Sequence, residues 1–330
     1  MTRTRGPRAS NALTICLLVV GALTTASAAF EPGARVLLDA HNCYPYHGRW
    51  ADRIDRALST GTPLAIEQDL VWFRDPSTGK SRSLVAHDET DKPALGLTGD
   101  EPTMKAYFFE RVRPLVEKAL RENRRDDWPL ITLNLDFKTE EPEHLRNVWE
   151  LLREYRPWLT TARRQRDISD VQPLAVGPLL VLTGESDAQR AVFHDAVAVG
   201  EPLLVFGAAR PQRSPDLQPG RRTNYHRWWN NPWSVVEPGG QTKAGEWTAA
   251  ADARLRGLVR ASHAAGLWIR FYTLNGHDPR DDSGGWSPGY NFGTLAAAQE
   301  RWRAAIRAGV DFVAVDQYEL FSATLREPHQ

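Results

Sequence analysis

Leu64-Ala65-Ile66-Glu67-Gln68-Asp69 is an apolar run that ends in two carboxylates. Side chains alternate along a strand, so Glu67 and Asp69, two apart, share a face with Ala65. Acids facing into a core are costly unless paired or bound to a cation. The run therefore reads as a strand that delivers charge where it leaves the core. Three other stretches repeat the pattern. Leu37-Leu38-Asp39-Ala40-His41-Asn42 precedes it, and Leu84-Val85-Ala86-His87-Asp88 and Leu133-Asn134-Leu135-Asp136-Phe137-Lys138 follow. In a barrel of parallel strands such ends converge on one mouth, where (β/α)8 enzymes keep their chemistry.

Outward from these four, apolar runs alternate with amphipathic stretches. Strands are expected at 35–40, 63–71, 84–87, 130–137, 179–183, 203–206, 267–274 and 310–316. Helices are expected at 50–58, 103–124, 143–155, 188–197, 249–265 and 295–308. Within 103–124, Phe108, Val112, Leu115, Val116, Ala119 and Leu120 keep helical spacing. About eight strands with helices between them predict an α/β fold, a single-domain (β/α)8 TIM barrel. An open doubly wound sheet is the alternative, but no GxGxxG turn follows a strand. Two segments break the rhythm, 210–247 and 275–293, and both are expected as loops over the mouth. The first holds Arg227-Trp228-Trp229-Asn230-Asn231-Pro232-Trp233. Its tryptophans either pack back on the barrel as a satellite core or line the substrate entrance with at least one ring.

The first 28 residues read as a signal peptide. Arg3, Arg5 and Arg8 precede an apolar stretch at 12–23, and Ala26-Ser27-Ala28 fits a cleavage site after Ala28. The expected location is secreted or periplasmic, with residues 29–330 as the barrel domain. No transmembrane segment is expected after cleavage. The whole chain has 41 basic and 41 acidic residues, so its charge balance recruits neither nucleic acid nor an anionic membrane. Of the two cysteines, cleavage removes Cys16 and leaves Cys43, which has no internal disulfide partner.

The strand-end residues suit metal-assisted acid/base chemistry. Glu67, Asp69 and Asp136 offer three oxygens to a hard divalent cation, Mg²⁺ or Ca²⁺, and Asn42 offers a fourth. His41 and His87 suit general base and general acid, because imidazole titrates near neutral pH. Lys138 suits a substrate phosphate, or a buried ion pair with Asp136. No GxSxG, HExxH, Walker or CxxC motif is present.

This ordered set resembles the phosphatidylinositol phospholipase C-like phosphodiesterase superfamily, which includes the glycerophosphodiester phosphodiesterases and the sphingomyelinase D enzymes. Ala40-His41-Asn42 is similar to the first catalytic histidine. The Asn matches the metal-ligating Asn of the eukaryotic phospholipases. Ile66-Glu67-Gln68-Asp69 is similar to the Glu-x-Asp metal motif, and Ala86-His87-Asp88 to the second catalytic histidine. Asp136-Phe137-Lys138-Thr139 resembles the Asp-x-Lys-Thr of sphingomyelinase D. Phe271-Tyr272-Thr273-Leu274-Asn275 resembles the Trp-Thr-x-Asn strand of the glycerophosphodiesterases, with Tyr272 for Trp. The strand from Gly309 to Asp316 resembles the one that ends those barrels. The resemblance implies a phosphoric diester hydrolase acting on a phospholipid or glycerophosphodiester-like substrate, with Tyr272 and Lys138 against that substrate. His41 is preferred as base and His87 as acid. The chain departs from the glycerophosphodiesterases at Asn42, where they carry Arg. After cleavage it also departs from the animal sphingomyelinase D enzymes, which carry disulfides, because Cys43 alone remains. The alternatives are a catalytically inactive ligand-binding barrel and a glycoside hydrolase on the same fold.

Overall fold

The computed structural model describes residues 1–2, 30–45, 51–87, 97–213, 217–278 and 288–328. Apart from residues 1–2, the expected signal peptide lies outside them.

Nine strands form the main sheet. They are β1 (Leu37–Ala40), β2 (Leu64–Arg74), β3 (Ser81–Val85), β4 (Ile131–Phe137), β5 (Leu179–Thr183), β6 (Phe206–Ala208), β7 (His226–Pro232), β8 (Trp268–Tyr272) and β9 (Phe312–Val315). Eight of them run parallel in chain order, and β1 pairs with both β2 and β9, which closes a barrel. The helices are α1 (Arg53–Ser59), α2 (Glu110–Glu122), α3 (Pro142–Glu154), α4 (Asp187–Arg190), α5 (Ala249–Ala264), α6 (Leu295–Ala308) and α7 (Tyr318–Leu325). They alternate with the strands as a (β/α)8 architecture requires. α6 shows why its bounds fall where they do. Thr294 caps its start by accepting from Ala297 N–H, and Gly309 ends it at φ 77°. No helix among the described residues is long and apolar enough to cross a membrane.

Two assignments differ from the expected ones. Leu84–Val85 is not a barrel strand. β2 runs past the mouth, and β3 folds back against it antiparallel, Leu70 opposite Val85 and Arg74 opposite Ser81. The eighth barrel strand is β7, inside the segment expected as a loop, and it pairs parallel with β6 and β8. Trp228, Trp229 and Trp233 are consequently buried in the body of the protein rather than placed at an entrance. Trp228 packs with Leu37, Leu180, Trp268 and Phe312, and its Nε1–H donates to Thr183 O at 2.9 Å. Trp229, on the other strand face, joins the core shared with the helices.

The two faces of the strands explain the rest. Outward residues such as Ile66, Leu133, Val181, Ile269 and Val313 share one core with Val112 and Val116 of α2 and with Leu145 and Leu152 of α3. The inward residues change character along the strands. Near the strand starts they are apolar: Leu37, Ala65, Leu180, Trp228, Trp268 and Phe312. Two residues on they include Asp39, Glu67, Asn134 and Arg270. At the strand ends they are His41, Asp69, Asp136, Tyr272 and Asp316.

Candidate active site

Glu67 and Asp69 on β2 stand beside Asn134 and Asp136 on β4, because the register pairs Glu67 with Asn134 and Asp69 with Asp136. Oxygens of Glu67, Asp69 and Asp136 lie within 4.8 Å of one another. Glu67 and Asp69 are buried, whereas the Asp136 side chain is 45% exposed at the mouth. Lys138, next on the same face, sets its Nζ 2.7 Å from Asp136 Oδ2 and 3.1 Å from Asp69 Oδ2. Its backbone N–H donates to Leu70 O at 2.9 Å, which ties β4 to the extension of β2.

Asp69 is the unsettled member of the three. Its buried Oδ1 accepts no hydrogen bond, and Oδ2 has only the Lys138 ammonium, at 3.1 Å. Burial, aided by the charges of Asp136 and Glu67, pushes its carboxyl up to about 8 despite Lys138. A buried carboxylate with one unpartnered oxygen and a single ammonium neighbour, beside two more acids, fits a hard cation with oxygen ligands. Glu67 is held differently. Burial works against its charge, but His41, Arg270 and Lys138 outweigh it and hold the carboxyl down at about 2. Its Oε1 takes Arg270 Nη2 at 3.0 Å and faces Asn134 Nδ2 at 3.5 Å. Its Oε2 accepts the Asn42 backbone N–H at 3.0 Å and lies 3.5 Å from His41 Nε2.

Asn42 reaches that position because it turns the chain left-handed, at φ 51°. Asparagine is one of the few side chains that tolerates this region. Asn42 thus meets the acids through its backbone, while its Oδ1 accepts from the Tyr44 hydroxyl at 3.1 Å. Its Nδ2 donates to Asp316 Oδ1 at 3.0 Å.

His41 sits between two carboxylates, with Nδ1 3.0 Å from Asp316 Oδ1 and Nε2 toward Glu67. Burial alone would favour the neutral ring, yet Glu67 and Asp316 together raise its pKa above the ordinary value. Asp316 is itself fixed. Asn275 Nδ2 donates to its Oδ2, and its own N–H donates to Asn275 Oδ1 at 2.8 Å. Behind His41, Tyr318 donates to His41 O at 2.7 Å, and Arg53 donates to Asn42 O at 2.8 Å. Tyr272 stacks on the ring at 6.3 Å between centroids, and Tyr290 meets it edge-on at 6.4 Å.

His87 arrives by another route. It follows β3, and the residue before it donates its N–H to Asp69 O at 3.0 Å. The hairpin therefore brings His87 back beside the acids, half-buried. A buried histidine braces this hairpin. His144 lies 2.8 Å from Ser83 Oγ through Nε2 and 3.0 Å from Thr139 Oγ1 through Nδ1.

The structure thus gathers Asn42, Glu67, Asp69, Asp136, Lys138, His41 and Tyr272 at one end of the barrel and brings His87 back beside Asp69. Sequence reasoning passed over Asp39 and Arg270. Arg270 Nε donates to Asp39 Oδ2 and its Nη2 to Glu67, a buried ion-pair chain beneath the acids. Parity was the available signal. Asp39 is two before His41, and Arg270 two before Tyr272. Cys43 is buried, and that burial pushes its thiol up to about 12, so it is no nucleophile.

No protein-family model matches the chain, and no curated protein matches it. Solved structures similar to it include a glycerophosphoryl diester phosphodiesterase from Parabacteroides distasonis, 14% identical. That match covers 88% of this chain and 86% of that one with a TM-score of 0.42. A glycerophosphodiester phosphodiesterase from Agrobacterium tumefaciens is 16% identical over 88% of this chain and 98% of that one, TM-score 0.39. A Plasmodium falciparum HPPK-DHPS overlaps 89% of this chain and 47% of its own at 8% identity, TM-score 0.40.

Proposed function

We propose that the protein is a metal-assisted phosphoric diester hydrolase. The observation that carries this reading is the acid cluster of Glu67, Asp69 and Asp136, with His41 against one acid and Lys138 bridging the other two. The three acids would hold a divalent cation, Mg²⁺ or Ca²⁺, and Asn42 Oδ1, which now accepts from Tyr44, would turn toward them to serve as a further ligand. A cation held there would supply Lewis-acid stabilisation of the charge that grows on the phosphodiester in the transition state.

The chain's own groups do the rest. Lys138 and Tyr272 orient the substrate, the first as a point charge for phosphate. His41 takes a proton from the attacking hydroxyl at Nε2. Asp316, on Nδ1, stabilises the imidazolium that results and fixes the ring. His87 gives a proton to the leaving oxygen. The substrate is a phospholipid or glycerophosphodiester-like molecule, met outside the cytoplasm after removal of residues 1–28. The motif order of Ala40-His41-Asn42, Glu67-Gln68-Asp69, His87 and Asp136-Phe137-Lys138 supports this assignment over a glycoside hydrolase, which needs two acids and neither histidine.

Hydrolysis of bis-p-nitrophenyl phosphate tests it. Turnover is expected with added Mg²⁺ or Ca²⁺ and is expected to vanish in chelator and in Asp69→Asn. Full activity in chelator removes the cation from the reaction. Saturable ligand binding with no turnover under any cation makes the barrel a binding protein.

A further inference from the structure

At the opposite end of the barrel, where the strands begin, lies a cavity of about 500 Å³. Phe30, Leu174 and Trp268 give it apolar walls, and Glu31, Arg222 and Arg227 give it charge. It is separate from the mouth. Trp268 is the first residue of β8, whereas Tyr272 at the mouth is the last.

The charges do not balance. Arg227 is 1% exposed, yet no carboxylate oxygen among the described residues lies within ion-pair distance of it. Its Nη2 donates to Gln172 O at 2.7 Å and to Asn224 Oδ1 at 3.2 Å, and its Nε to Asn224 O at 3.3 Å. Its Nη1 has no partner. Nor does the Nε of Arg222, the nearest like charge. Burial and Arg222 push the Arg227 guanidinium down to about 9, Glu31 only partly opposing them. Buried charges in proteins are paired or neutralised, and an uncompensated one costs several kcal/mol. Arg222 lies across Gly266, where a Cβ would stand 3.0 Å from its Cδ and Nη1. Gly266 has φ 72°, so glycine both makes the turn and clears the space for that side chain.

Two guanidiniums against one carboxylate leave one positive charge in an apolar-walled space of ligand size. We infer that this cavity is a second binding site, for a monoanion with an apolar body such as a short-chain or aromatic carboxylate. The anion sits at Arg222 and Arg227, and its apolar part lies against Phe30, Leu174 and Trp268. The N-terminal end of such barrels is not where chemistry is done, so the site binds without turnover.

Calorimetric titration with hexanoate in chelator tests this. Wild-type protein is expected to bind one equivalent, with at least a tenfold loss in Arg222→Gln and a smaller loss in Arg222→Lys. Hexylamine and inorganic phosphate are expected to bind more weakly than hexanoate. His41→Ala, altered only at the mouth, is expected to bind hexanoate as wild type does. Arg222→Gln is half-buried and outside the mouth, so its melting temperature and its turnover of bis-p-nitrophenyl phosphate are expected to stay unchanged. Absence of saturable hexanoate binding, or equal binding by wild type and Arg222→Gln, overturns the proposal. So does loss of binding in His41→Ala, which places the anion at the mouth.

Discussion

The two ends of the barrel interior are built on the same alternation and serve opposite purposes. At the strand starts the inward residues are Leu37, Ala65, Leu180, Trp228, Trp268 and Phe312, packed as one cluster. At the strand ends the inward side chains of the same strands are largely polar, and carboxylates crowd together within 4.8 Å. The first end gains free energy by removing apolar surface from water. The second spends some of it on desolvated charge, and Arg270 is the joint between them. It stands one layer above Trp268 and pairs with both Asp39 and Glu67 from below. What the contrast teaches is a division of labour along each strand. Residues low on the strand build the packed core, and residues two to four positions further place the polar groups that the proposed reaction would use.

That division breaks most readily at the low end. Trp228→Ala removes a fully buried ring, and losses of about 3–5 kcal/mol follow such truncations. The midpoint of urea unfolding is expected to fall accordingly. Remaining folded protein is expected to keep its turnover per molecule. Intact stability in this variant would mean that the low end is not the packed core described.

A smaller stability effect, of opposite sign, is expected at the mouth. The raised Asp69 carboxyl binds its proton more tightly in the folded state than in the unfolded one. Its contribution therefore favours folding at low pH and is lost as pH rises from about 4, the unfolded value, through about 8. In chelator, Asp69→Asn is expected to abolish this residue's share of the decline, so the variant gains on wild type between those limits. Guanidinium melts at several pH values read it directly. Parallel stability curves would show that Asp69 is not desolvated as described. Added cation is expected to reverse the order, because wild type then gains a ligand that the variant holds weakly.

The same division decided what could be read from the chain. β1, β2 and β4 were legible because apolar residues alternate with acids and histidine, so strand and site announced each other. β7 was not. His226-Arg227-Trp228-Trp229-Asn230-Asn231-Pro232 has no β-branched residue and sits among prolines, glycines and arginines. Its strand conformation comes from pairing with β6 and β8, a tertiary cause that local propensity does not carry. Leu84–His87 misled in the other direction. Its apolar run is real, but it packs on the extension of β2 and leaves the barrel one strand short until β7 is counted. His87 still comes to the mouth, by the hairpin rather than by a barrel strand. Arg270 was hidden because an arginine flanked by Ile269 and Phe271 looks like an exposed interruption. Only the closed barrel turns it inward onto Asp39 and Glu67.

The central claim is a cation held by Glu67, Asp69 and Asp136, and anomalous diffraction from crystals soaked in Mn²⁺ tests it most directly. The account predicts one peak at the mouth, about 2.0–2.6 Å from an oxygen of each acid, with the Lys138 ammonium displaced from Asp69. Density showing Lys138 still bridging Asp69 and Asp136, with no peak among the three acids at saturating Mn²⁺, would contradict it.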